Sequence, residues 1–380
     1  MLANQQVQSR DGSGVEKINA TRLPTAAMTK VASSTSVTAA LHMIREAFFN
    51  KLKNVTNVRL ENLIDTTTPS LDFTFIKEFV LREGVYRADP ETNEGCQNPC
   101  RPDMGGHIGC EYTKLCTCLE FAAVDQGKLK GEELQQYKAA EVNNTLFDTT
   151  GLPKRFPYRR AKSEGRQLPS TLDKFYREDR HPIYECNPNC NCGPVCKSRV
   201  VQKGRKVPLT IFKTPDRGWG VKCDEDLIKG EFIDTYLGEV ITNEETDRRE
   251  AAAGKDKASY LYNLDKFTSD DGGPTEDTCY VVDGQHMGGP TRFINHSCEP
   301  NCRQYTVSYN KYDLWVYDLA FFAYEDIPKG EELTFDYMDK DEEEEEDVIR
   351  KREEAANDPE NADKRPCNCG ATKCRGYLWV

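Results

Sequence analysis

Between Ser36 and Asn54 apolar residues recur every three or four positions, at Leu41, Ile44, Phe48 and Leu52. That spacing sets them on one face of an amphipathic helix. The helix is expected to pack on the domain that follows; a partner-binding helix is the alternative. Residues 1–35 are rich in Ala, Thr, Ser and Gln and read as a mobile lead-in. From Val55 to Arg87, the short apolar runs VRLENLI and FTFIKEFVL predict strands or extended wrapping segments. Residues 205–338 have a different character. The runs VPLTIF, EFIDTYLGEVI, ASYLYNL, TCYVVDG, DLWVYDLAFFAY and ELTFDY are dense in β-branched and aromatic residues, with Gly, Pro and Asp between them. This region is predicted to be predominantly β.

Charge and hydropathy narrow the function. The 380 residues carry a formal net charge of -12 and 30% charged side chains, and the mean hydropathy is -0.72. No apolar stretch approaches the ~20 residues that span a bilayer, and no signal-peptide pattern opens the chain, so a soluble intracellular protein is expected. The acidic balance argues against a protein that mainly coats nucleic-acid backbone, which needs concentrated Lys and Arg. It favours a basic partner, because opposite fields raise encounter rates. Seven consecutive acids from Asp341 to Asp347, followed by IRKREEAA, read as a solvated loop insertion. A regulatory role is the alternative, since Lys340, Lys351 and Lys364 lie in or beside the insertion.

The cysteines carry the candidate metal chemistry. There are sixteen, and most fall into tight clusters, unlike the dispersed bridges of a small secreted scaffold. The first cluster is C-x3-C-x9-C-x5-C-x-C, at Cys96, Cys100, Cys110, Cys116 and Cys118. The second is C-x3-C-x-C-x3-C, at Cys186, Cys190, Cys192 and Cys196. Two closed four-cysteine zinc sites need eight thiolates, and these clusters hold nine. Three tetrahedral zincs need twelve Zn–S bonds, which nine thiolates supply if three of them bridge. A three-zinc cluster therefore fits the count; two separate sites with a spare thiol, His107 assisting, remain the alternative. The chain closes with C-x-C-x4-C (Cys367, Cys369, Cys374), three ligands wanting a fourth. Cys298 is the first candidate and Cys302 the competitor. Cys223 and Cys279 stand alone and read as small core residues.

Four motifs stand in order through the β region: DRGWGV (Asp216 to Val221), YLGE (Tyr236 to Glu239), RFINHSC (Arg292 to Cys298) and ELTFDY (Glu332 to Tyr337). Together they resemble the SET domain, and the flanking cysteine clusters resemble its pre-SET and post-SET modules. The resemblance covers residues 56–380 and is strongest to the suppressor-of-variegation class of histone H3 lysine-9 methyltransferases, in particular compact fungal enzymes without a chromodomain. It implies a mainly β fold with short helices: a SET β-clip with a pseudoknot in which RFINHSC and ELTFDY thread past one another. A three-zinc pre-SET module and a one-zinc post-SET tail would flank it. The implied organisation is an N-terminal extension over 1–55, pre-SET over 56–204, SET over 205–338, the acidic insertion over 339–365 and the post-SET tail over 366–380.

The same resemblance implies an S-adenosylmethionine-dependent lysine methyltransferase acting on the histone H3 tail at lysine 9, in nuclear chromatin, with roles in heterochromatin and silencing. Recruiting chromatin proteins are expected as partners; a membrane is not, and direct nucleic-acid binding is not implied. Lys213, Gly218, Trp219, Tyr260, Arg292, Phe293, Asn295, His296 and Trp379 would line the cofactor pocket. Tyr337 would be the catalytic phenol, Tyr236 the second channel tyrosine, and Phe335, Tyr262 and Trp379 would complete the walls. Tyr262 stands where the similar enzymes carry Phe. Phe335 implies room for di- and trimethylation, and Asp265 would bind the arginine that precedes the target lysine. A catalytically silent zinc-stabilised chromatin module, or a methyltransferase for a non-histone protein, are the other readings.

Overall fold

A computed structural model of the chain describes residues 6–8, 15–17, 37–96, 116–143, 145–160, 170–192, 196–253, 260–268, 273–339 and 366–378. Cys100, His107, Cys110 and Trp379 lie outside the described residues, as do residues 340–365 of the acidic insertion, with Lys340, Lys351 and Lys364.

The predicted amphipathic helix forms as α1 (Val37–Leu52). Its C-terminal half does the packing. Phe48 and Leu52 are buried, and Phe48 meets Phe75 edge-on with ring centroids 6.1 Å apart. Burial of this kind stabilises by about 2 kcal/mol per side chain. Leu41 is half-buried and Ile44 is exposed, so the apolar face continues past the surface that covers it. The lead-in departs from expectation at one place, where Gln6–Gln8 and Val15–Lys17 pair as an antiparallel hairpin.

The strands that matter for the site are β1 (Val58–Glu61), β2 (Leu209–Lys213), β3 (Trp219–Cys223), β4 (Phe232–Tyr236) and β5 (Glu239–Ile241). They continue with β6 (Leu261–Asn263), β7 (Val281–Asp283), β8 (Asn295–His296), β9 (Cys302–Ser308), β10 (Asp318–Ala323) and β11 (Glu332–Phe335). Further helices are α2 (Gly131–Val142), α3 (Lys174–Asp179) and α4 (Asn243–Ala253). One sheet runs in the order β8-β11-β3-β2-β1. A second is β4-β10-β9 with Ile183–Tyr184 at its edge, and a third is β6-β7-β5 with Val80–Leu81 at its edge. Each sheet thus takes one edge strand from before residue 205, and each of those three joins in parallel. Short edge strands of this kind cover backbone groups that would otherwise template aggregation.

The apolar runs supply the core through Ile211, Val221, Ile233, Val240, Val282, Leu319, Phe321 and Leu333, all fully buried. Cys223 and Cys279 are buried as the sequence predicts. The shortest pairing matters most for the site. β8 and β11 run parallel in the register Asn295↔Thr334 and His296↔Phe335, which is where RFINHSC and ELTFDY meet.

Candidate active site and zinc centres

The cavity is built by aromatic side chains from three separate segments. Tyr236 ends β4, Tyr260 and Tyr262 flank the start of β6, and Phe335 ends β11 two residues before Tyr337. With Leu261, Thr291, Arg292 and Ile294 they enclose a cavity of about 100 Å³. Its walls are rigid by mutual contact. Phe335 packs on Phe321 at 4.8 Å and on Tyr337 at 4.7 Å, and Tyr236 lies 5.8 Å from Tyr262. Two hydroxyls donate to backbone carbonyls: Tyr337 to Ile294 O and Tyr236 to Tyr260 O, both at 2.8 Å. Their oxygen lone pairs remain as acceptors. Burial pushes both phenols above their ordinary range, so they stay neutral donors. Gly284 is required beside Tyr236: a Cβ there would sit 2.5 Å from the Tyr236 hydroxyl.

A second cavity adjoins the first and is polar. Arg180, Asp265, Lys266, Gln304 and Asp339 line it, and Tyr262 lines both. Asp265 lines it as an exposed residue, and partial desolvation raises its carboxyl above the usual range. Tyr262 donates its hydroxyl to Gln304 Oε1 at 2.8 Å, a partner that no sequence motif announced.

The residues named for the cofactor divide into two groups. Lys213 and Trp219 are cross-strand partners in the β2–β3 hairpin, with the ammonium 5.3 Å from the indole centroid. Gly218, at φ +76°, makes the tight entry into β3, and its carbonyl accepts the Thr214 N–H at 2.9 Å. The Arg292 guanidinium stacks 3.9 Å over the Tyr260 ring and donates to Gly284 O. Asn295 donates to Glu332 Oε1 at 2.8 Å, and Glu332 also pairs with Arg217. Phe293 does not line the aromatic cavity: the turn from Pro290 to Phe293 buries its ring against Phe73 and Phe75, with the Arg292 guanidinium 4.8 Å from its centroid.

His296 links this site to the C-terminal cysteines. Its Nδ1 accepts the Tyr337 N–H at 3.1 Å, which requires a neutral ring with its proton on Nε2. Burial holds its pKa below the ordinary value, against the opposing charge of Asp336. Nε2 lies 3.3 Å from Cys298 Sγ.

The thiols fit zinc in both places. Cys298, Cys367, Cys369 and Cys374 bring four sulfurs within 4.8 Å of one another, near the ~3.8 Å edge of a tetrahedral Zn–S4 site. Cys302 is not the fourth ligand; it points into the core from β9. In the upstream region the seven described cysteines form one buried cluster. Within it, Cys96, Cys116, Cys118 and Cys186 converge as one set, and Cys186, Cys192 and Cys196 as another. Cys186 belongs to both sets, as a bridging thiolate does. Among the described residues this favours a shared cluster over two separate sites. Such closed thiolate sites staple a fold and leave no open position for substrate.

The chain has relatives of known activity. The SET domain family matches residues 218–338, and the Pre-SET motif matches residues 50–199. The H3 lysine-9 specific histone-lysine N-methyltransferase KMT1 of Fusarium mangiferae is 40% identical, over 81% of this chain and 84% of its own. Among solved structures, the Neurospora SET domain protein DIM-5, a histone lysine methyltransferase, superposes with a TM-score of 0.58 at 37% identity. That match covers 76% of this chain and 97% of DIM-5. SUVH6 of Arabidopsis thaliana, solved in complex with S-adenosylmethionine, gives a TM-score of 0.53 at 26% identity, over 84% of this chain and 53% of SUVH6. With its Pre-SET motif, its SET domain and this degree of identity, the chain belongs to the SET-domain histone-lysine N-methyltransferases.

Proposed function

We propose that the protein transfers methyl groups from S-adenosylmethionine to lysine 9 of histone H3, carrying the reaction to di- and trimethyl-lysine, and acts on chromatin in the nucleus. The observation that carries this reading is the aromatic cavity of Tyr236, Tyr262, Phe335 and Tyr337, next to a polar one that Asp265 lines. A lysine side chain needs an apolar passage for its stem and acceptors at its end. An arginine beside it on the peptide needs a carboxylate.

A free lysine with pKa near 10.4 costs about 4 kcal/mol to deprotonate at neutral pH. The cavity lowers that cost, since burial among rings disfavours the ammonium. Tyr236 and Tyr337, with their hydrogens committed to backbone carbonyls, present lone pairs that orient the amine N–H bonds. The amine lone pair is thereby aimed along one line, and alignment of this kind is where most of the barrier reduction arises. When bound, S-adenosylmethionine would supply an electrophilic methyl group on a sulfonium, to be displaced by the lysine amine once that has lost its proton to water, with sulfur keeping the bonding pair. Lys213, Trp219, Arg292, Asn295 and His296 are the residues that would hold it, with Gly218 opening the strand. A cation for the methionyl carboxylate (Lys213) and a half-buried indole (Trp219) suit that ligand. Trp379 is proposed to cover the site from the zinc-held tail.

The test is methyl transfer to H3 tail peptides, read by mass spectrometry, with histone-free cell protein in parallel. The expected result is a product at lysine 9 that Tyr337→Phe reduces by roughly 100-fold or more, as loss of one preorganised group does. Transfer only to non-histone protein, or cofactor binding with no transfer at all, would replace this reading by one of its rivals.

A further inference from the structure

Tyr262 is the wall shared by the two cavities, and its hydroxyl is placed on one side of that wall. Gln304, which accepts it at 2.8 Å, lines the polar cavity and not the aromatic one. Gln304 is itself held on three sides. It is a buried residue of β9, its cross-strand partner is Phe321, and Phe321 packs on Phe335 inside the aromatic wall. Its backbone carbonyl accepts from Arg180 Nη2 at 3.3 Å, and Arg180 also pairs with Asp339. Arg180 and Asp339 have φ of 54° and 51°, left-handed conformations that non-glycine residues seldom adopt. Both strained residues are spent on one ion pair at the rim beside Gln304.

We propose that Gln304 is a specificity-determining positioning residue: by holding the Tyr262 hydroxyl on the outer side, it keeps the lysine cavity wide and apolar enough for amines that already carry methyl groups. The inference rests on the methyltransferase reading above and deepens it. A phenol released into the cavity would add a third hydroxyl around the amine. Unlike those of Tyr236 and Tyr337, its hydrogen would have no backbone carbonyl to occupy it. It would donate to the amine lone pair that must attack the methyl group, and it would fill the space of an added methyl. A primary amine has two N–H bonds and room to turn away from such a donor. A dimethylamine has neither, so the later steps suffer most. The relay Arg180–Gln304–Tyr262 thus ties the degree of methylation to a segment that precedes the SET domain.

The experiment compares wild-type protein, Gln304→Leu and the double variant Gln304→Leu/Tyr262→Phe on an H3 tail peptide with excess S-adenosylmethionine. Mono-, di- and trimethyl products are resolved by mass spectrometry over time. Gln304→Leu is expected to lower the trimethyl share at least fivefold while the first methyl transfer slows much less. Removing the released hydroxyl in the double variant is expected to restore the trimethyl share. A loss of activity through mispacking would lower all three products together and would not be rescued by a second substitution. Gln304→Met serves the same comparison if the Leu variant does not fold. A wild-type product distribution in the single variants, or a double variant that stays blocked, overturns the proposal. Failure of the wild-type protein to methylate the peptide would instead refute the methyltransferase reading.

Discussion

The backbone N–H of Tyr337 donates to Nδ1 of His296 at 3.1 Å, and the far nitrogen of the same imidazole lies 3.3 Å from Cys298 Sγ. One ring therefore spans the proposed catalytic phenol and the C-terminal cysteine quartet. A second link runs alongside: Arg375, one residue past Cys374, pairs with Asp336, one residue before Tyr337. Outer hydrogen bonds of this kind orient a metal's ligands and couple the metal to its surroundings.

Loss of zinc from the tail is therefore expected to abolish turnover while the β domain stays folded. Cys374→Ser should remove one of the four ligands and reduce activity by at least 100-fold, with far-ultraviolet circular dichroism retained. Stoichiometric zinc analysis should show one metal fewer. Full turnover in a variant lacking that zinc would separate the tail from catalysis.

Phe335 contributes a ring and no hydroxyl, packed between Phe321 and Tyr337. Phe335→Tyr adds a donor close to the Tyr337 ring and removes space. Products on an H3 peptide should shift toward mono- and dimethyl-lysine, with little change in the rate of the first transfer. An unchanged trimethyl yield would show that the cavity limits methylation elsewhere.

Asp265 is proposed to meet the arginine before the target lysine. A charge-assisted hydrogen bond contributes about 1.5–3 kcal/mol, so Asp265→Ala should raise the peptide KM by roughly 10- to 100-fold. Binding of S-adenosylmethionine, measured by calorimetry, should be unchanged. Equal losses in both would assign Asp265 to the scaffold.

The pH profile has a definite sign. Burial raises the phenols of Tyr236 and Tyr337, so both remain protonated donors below the ordinary tyrosine pKa of 10. The substrate amine gains its neutral form as pH rises. With saturating cofactor, kcat/KM should climb from pH 7 to about 9.5 without a tyrosine-dependent fall. Any contribution of these raised phenols to stability is full below pH 10 and lost above it. A rate that declines between pH 8 and 9 would require a different ionisation at the site.

Much of this architecture was legible before any coordinates. Local patterning fixes α1, because the 3–4 spacing of Phe48 and Leu52 needs only a helix and an apolar surface to cover it. The punctuated β-branched runs determine the strands, and cysteine spacing determines metal chemistry, since few other roles explain C-x-C clusters. The ordered motifs contain Tyr236, Arg292, Phe335 and Tyr337 of the aromatic cavity; Leu261 and Thr291 lie outside them. Tertiary structure decided the rest, because those outcomes depend on contacts between distant segments. The choice of Cys298 over Cys302 rests on strand direction: one lies beside the tail and the other points into the core. The inward turn of Phe293 follows from packing against Phe73, more than two hundred residues earlier in the chain. The Tyr262–Gln304 hydrogen bond and the Arg180–Asp339 pair join residues with no shared motif. Sequence periodicity reports which face of an element is apolar; it carries no term for which distant side chain will stand opposite a given hydroxyl. That pairing is set only when the sheets close, and it decides whether the Tyr262 hydroxyl faces the lysine or turns away from it.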